Sequence, residues 1–164
     1  MKNNEYASMR VLVAVDDAAT GRVLFDAFEG AGIQRPAQAE SEATLRQALE
    51  TGIDLIVMTH ELKGVFVAPL IAEVRRGLLG PQPFPIVVVL VPASDRTMVR
   101  KVSDCGPDDV VAMPLAPAAL LKRIGAFVAG ARQPLVVTKG YAGPERRTGG
   151  RGGVTRSSPP PANP

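Results

Sequence analysis

Four short apolar runs constrain this chain more than any other feature: Val11–Val15 (VLVAV), Ile53–Met58 (IDLIVM), Ile86–Val91 (IVVVLV) and Val110–Met113 (VVAM). Each is rich in Val and Ile, and nearly every position is apolar rather than every second one. A strand of that kind has no face for water, so it must lie in a sheet covered on both sides. A weaker strand is expected near Gln34–Ala39, where Pro36 keeps it short or at an edge. The segments between the runs have helical spacing. Leu24, Ala27, Phe28 and Ala31 fall at i, i+3, i+4 and i+7. Leu45, Ala48 and Leu49 follow Ser41, a good N-cap, and stop before Gly52. Val67, Leu70, Ile71, Val74 and Leu78 form a stripe ending at Gly80-Pro81. Met98, Val99 and Val102 follow Ser94-Asp95 and stop at Gly106. Leu120, Leu121, Ile124, Phe127 and Val128 follow Pro117, which suits a first helical turn, and stop at Gly130.

Strand and helix therefore alternate five times. Such a succession implies a parallel sheet joined by right-handed crossovers, with helices on both faces. The expected fold is α/β, a flavodoxin-like (βα)5 open sheet of strand order 2-1-3-4-5. It is expected over residues 9–132, after a flexible N-terminus (1–8) and before a basic, Gly/Pro-rich disordered tail (133–164). Charge divides the same way. Residues 1–137 hold 14 Lys/Arg against 15 Asp/Glu, whereas residues 138–164 hold five Lys/Arg and Glu145 alone. No apolar run reaches the roughly 18 residues that span a bilayer. The N-terminus lacks the apolar stretch of a secretory signal, and Cys105 is the single cysteine. These features point to a reducing, cytoplasmic setting without membrane contact. With 4% aromatic residues and no Trp, the chain lacks base-stacking platforms for nucleic acid.

In open parallel sheets, ligands bind beyond the carboxyl ends of the strands. Those ends read Asp16-Asp17, Thr59-His60, Val91-Pro92 and Met113-Pro114. In this arrangement the chain resembles a response-regulator receiver domain over roughly residues 9–130. VLVAVDD with Arg22 five residues on is similar to the family's first strand, acid pair and first helix. DLIVM is similar to its third strand and FPIVVVLV to its fourth. GPDDVVAMPLAPAALLKRI is similar to its fifth strand, following proline and last helix. The resemblance implies an acid pair for Mg²⁺, an aspartyl phosphoacceptor, a hydroxyl that reads the phosphate and a lysine that neutralises it. Only the acid pair, Asp16 and Asp17, is present. The acceptor position is Thr59, the hydroxyl position Val91 and the lysine position Met113. The family's lysine–proline bond is cis, which makes Met113-Pro114 the candidate for loop geometry.

These replacements can be judged by chemistry. An acyl phosphate needs a carboxylate, and the Thr59 alcohol is a poor nucleophile without a nearby base. Phosphoryl transfer needs positive charge around the equatorial oxygens, which Met113 lacks. Val91 cannot donate a hydrogen bond to a phosphate oxygen. Asp16 and Asp17 allow a residual, weak Mg²⁺ site, or else one caps the first helix while the other hydrogen-bonds a loop. Lys63 can swing onto either acid or remain solvated. His60 has no second His to share a metal. Cys105 reads as packing, not catalysis.

The resulting reading is a stand-alone pseudo-receiver of a bacterial two-component or phosphorelay system, not an enzyme, acting through protein–protein contacts. A histidine kinase, phosphotransfer protein or output protein would be met through roughly Asp95–Val128, with Pro117, Ala118 and Lys122 exposed. The alternatives are a receiver using a non-standard acceptor, a small-molecule-binding flavodoxin-like domain, or nucleic-acid binding by the tail through Arg146, Arg147 and Arg151.

Overall fold

The computed structural model describes residues 6–81 and 84–146. Five parallel strands form the central sheet: β1 (Val11–Ala14), β2 (Ala37–Ala39), β3 (Leu55–Thr59), β4 (Ile86–Pro92) and β5 (Asp109–Met113), in the order 2-1-3-4-5. β2 is the short edge strand that Pro36 leads into. Five helices connect and cover them: α1 (Ala18–Gly30), α2 (Glu42–Leu49), α3 (Ala68–Arg75), α4 (Arg96–Ser103) and α5 (Pro117–Ala126), the last running into a wide turn at Phe127–Ala131.

Alternate residues of the strands feed two separate cores. Leu12, Ile56, Met58, Val87, Val89 and Val91 pack with Leu45, Leu70, Ile71 and Val102 beneath α2, α3 and α4. Val11, Val13, Leu55, Val57, Val88 and Leu90 pack with Leu24, Phe28, Leu120 and Ile124 beneath α1 and α5. Side-chain caps fix three helix starts: Asp17 accepts from the Thr20 amide, Ser41 from Thr44 and Asp95 from Met98. α3 is shorter than its apolar stripe suggested. It ends at Arg75, and Leu78 lies outside it, 74% exposed.

Two features correct the expected layout. Glu61–Leu62 and Val65–Phe66 form a small antiparallel hairpin between β3 and α3. Its turn is Lys63-Gly64, both at positive φ (47° and 81°), as a two-residue hairpin turn requires. The folded body also runs past residue 132, so the expected tail does not begin at 133. Strands β6 (Leu135–Val137) and β7 (Ala142–Pro144) pair antiparallel. Their hairpin meets the α4–β5 loop so closely that a side chain at Gly106 would strike the Ala142 carbonyl, and one at Gly143 the Gly106 backbone. Tyr6–Ser8 turn back, with the Met9 amide on the Tyr6 carbonyl (3.1 Å), and Tyr6 packs on the α1–α5 core. Residues 1–5 and 147–164, which include Arg147 and Arg151, lie outside the described residues.

The C-terminal segment is held by charge. The Asp108 side chain, 1% exposed, takes Arg75 at 2.7 Å and Arg132 at 2.7 Å, and also accepts the Val87 amide at 2.9 Å. Arg75 further donates to the Pro85 and Gly106 carbonyls. Burial draws the Arg75 guanidinium down from its ordinary value while Asp108 opposes the shift. At the surface, Arg146 stacks on the Tyr141 ring (4.3 Å) and bonds Ser103 O and Asp104. Replacing Asp108 by Ala strands a buried cation, so chemical denaturation should show a loss of about 3–5 kcal/mol. Asp104→Ala breaks an exposed pair and should cost under about 1 kcal/mol.

Candidate functional site

At the carboxyl ends of the strands, the register sets Thr59 beside Leu90, Val91 beside Ala112 and Pro92 beside Met113. Thr59, His60, Val91, Met113 and Pro114, with Thr20 from α1, line one cavity of about 450 Å³. The three replaced positions and the proline are thus brought together, and the Met113-Pro114 peptide is cis. Val91 is buried on the α2–α4 side, whereas Met113 is half-buried against the α1–α5 core. Among the described residues no Lys or Arg lines the cavity.

The Thr59 hydroxyl is turned away from any reaction: it donates to the Glu61 carbonyl at 2.8 Å. His60 is anchored through its backbone, its amide on Leu90 O (3.0 Å) and its carbonyl accepting from Val67 (3.0 Å). Neither contact supplies a base for an alcohol.

The two acids adopt the structural roles open to them. Asp17 caps α1, accepting from the Thr20 amide at 2.8 Å and from its hydroxyl. Those bonds from Thr20 hold the Asp17 carboxyl below the usual carboxylate range. A lowered folded value means the cap strengthens the fold at neutral pH and loses that contribution as pH falls through it. Asp16 accepts from the Lys63 amide at 2.7 Å. Lys63 therefore does reach the acid pair, but through its backbone; its ammonium forms no ion pair with either acid among the described residues. Thr59 offers a neutral hydroxyl where the resemblance implies a third carboxylate, and its proton is committed to Glu61 O. Among the described residues no group of three His, Cys, Asp or Glu could hold a metal ion. Two carboxylates without a third make at most a weak Mg²⁺ site.

Cys105 is half-buried near the end of α4, with its Sγ 3.4 Å from Lys101 O, and burial pushes its thiol up, with Asp104 adding to the effect. That environment suppresses thiolate chemistry. The Asp16–Lys63 clasp went unseen in the sequence as a main-chain bond; the Lys-Gly pair between Leu62 and Val65 was the signal for its turn. If the clasp holds the hairpin, Asp16→Ala should speed hydrogen exchange at the Lys63 amide about tenfold or more, while the amides of β1 and β3 stay protected.

No protein-family model matches the sequence, and no curated protein matches it. Solved structures do. The response regulator DrrB of Thermotoga maritima, an OmpR/PhoB homologue, aligns with a TM-score of 0.62 at 21% identity, over 79% of this chain and 57% of that one. The chain thus spans little more than half of DrrB. The receiver domain of the putative response regulator NarL from Mycobacterium tuberculosis aligns at 0.65 and 17% identity, over 74% and 97%. The receiver domain of a Pseudomonas aeruginosa sensor histidine kinase, solved with magnesium coordinated in its active site cleft, aligns at 0.66 and 16%, over 76% and 100%. The chain has the receiver fold.

Proposed function

We propose that the chain is a receiver-like signalling module that takes no phosphoryl group at the family's position and works by protein–protein recognition. One observation carries this reading: at the strand ends where a receiver gathers a carboxylate, a hydroxyl and an ammonium, this chain gathers Thr59, Val91 and Met113 in a single cavity. The alcohol is bonded to a backbone carbonyl. Among the described residues no cation lines the cavity to meet charge developing on a phosphoryl group. The two carboxylates nearby are engaged by a helix start and a hairpin turn, so any Mg²⁺ they attract would be weakly held. This is a binding role, not an enzymatic one.

The recognising surface is α4, β5 and α5, roughly Asp95–Val128. Arg96, Thr97, Arg100 and Lys101 on α4 and Ala118 and Lys122 on α5 are exposed there, with Pro117 half-buried. A histidine kinase, a phosphotransfer protein or an output protein of a bacterial two-component pathway is the partner class. No helix among the described residues is long and apolar enough to cross a membrane, and a cytoplasmic setting fits these partners.

Incubation with acetyl phosphate and Mg²⁺ followed by intact-mass measurement should show no phosphate adduct; an adduct would remove the reading. Thr59→Asp alone should also stay unmodified, because Met113 leaves the new acid without a cation partner. Arg100→Glu with Lys122→Glu should weaken capture of the cognate partner at least tenfold without shifting the melting temperature.

A further inference from the structure

We propose that the strand-end cavity is a binding site for a small, uncharged, mostly apolar organic molecule. The inference rests on the reading that no phosphoryl chemistry occupies this place. Pro92, Met113 and Pro114 supply the accessible apolar surface, while Leu90 and Val91, which also line the cavity, are almost wholly buried. The volume, about 450 Å³, lies in the range of small-molecule pockets. Its position beyond the carboxyl ends of parallel strands is where this architecture binds ligands. A second cavity of about 230 Å³, between α1 and the start of α5, shares Thr20 and Met113 with the first.

The polar groups define the ligand's chemistry. The Thr20 and Thr59 hydroxyl protons are committed to Asp17 and to Glu61 O, so toward a ligand these oxygens only accept. The His60 backbone is committed to Leu90 and Val67, which leaves its imidazole as the group able to donate to or accept from a guest. Nearby, Asp16 and Asp17 form no ion pair among the described residues. An anion therefore meets two carboxylates and, among the described residues, no lining cation, and its desolvation goes uncompensated. An uncharged apolar body gains burial against Pro92, Met113 and Pro114, with one polar atom set against His60.

The test uses N-phenyl-1-naphthylamine, an uncharged fluorescent probe, titrated into the full chain. We expect a saturable, single-site rise in fluorescence. In protein labelled at the methionine methyls, the Met113 signal should move and the Met98 signal on α4 should not. Met113→Lys should weaken the probe at least tenfold, and Met113→Leu should retain it. Millimolar inorganic phosphate should not displace it. Absence of saturable binding, binding without movement of the Met113 methyl, or displacement by phosphate would each overturn the proposal. The methyl readout needs no variant, so a misfolded Met113→Lys protein would not blunt the test. A phosphate adduct by mass would instead strike the underlying reading, so the two failures remain distinct.

Discussion

Burial of the central strands on both faces is the constraint from which the rest follows. Leu12, Leu55, Val57, Val88 and Val89 are all within 1% of complete burial. Their alternate side chains are divided between a core under α2–α4 and another under α1 and α5. Nothing polar can be accommodated along such strands without an unmet hydrogen bond. Chemistry is thereby confined to the strand ends, and the two ends have been treated oppositely. At the amino ends of β4 and β5, two arginines converge on Asp108 and bind the C-terminal segment to the body. At the carboxyl ends the cavity is walled mostly by apolar residues, and no Lys or Arg among the described residues lines it.

That inversion changes what a conformational signal would require. A phosphate-driven switch needs a ligand that differs in affinity between two arrangements of the loops. Here the loop after β3 is already held by the Asp16 carboxylate on the Lys63 amide, and the Thr59 hydroxyl by the Glu61 carbonyl. Both contacts are internal to the chain and form without a modification.

Much of this was legible in the sequence because local and global signals agreed. The runs Val11–Val15, Ile53–Met58 and Ile86–Val91 marked β1, β3 and β4 with their double-sided burial, whereas Val110–Met113 marked β5, an edge strand in which only Val111 is buried. Asp17, Ser41, Asp95 and Pro117 marked helix starts, and strand-end positions placed Thr59, Val91, Met113 and Pro114 together. The misreadings have physical causes. The Glu61–Phe66 hairpin is two residues a side, and its turn puts a lysine where glycine or asparagine is favoured. The stripe on α3 continued to Leu78, but apolar spacing does not say where the chain leaves a helix, and Leu78 faces water. The C-terminal hairpin lies in a Gly- and Pro-rich stretch whose composition reads as disordered. Its order comes from tertiary contacts no local pattern reveals: Arg132 on Asp108, Arg146 on α4, and the glycine-to-glycine approach at Gly106 and Gly143.

The central claim is that the strand-end site has lost its response to a phosphoryl group. Amide spectra recorded while beryllofluoride is titrated in with excess Mg²⁺ address it most directly, because this phosphoryl mimic needs both an aspartyl oxygen and a cationic partner. The account predicts that the amide signals of Thr59, Lys63, Val91 and Met113 stay where they are at every concentration. Saturable movement of those signals, spreading to α4 and β5, would contradict it.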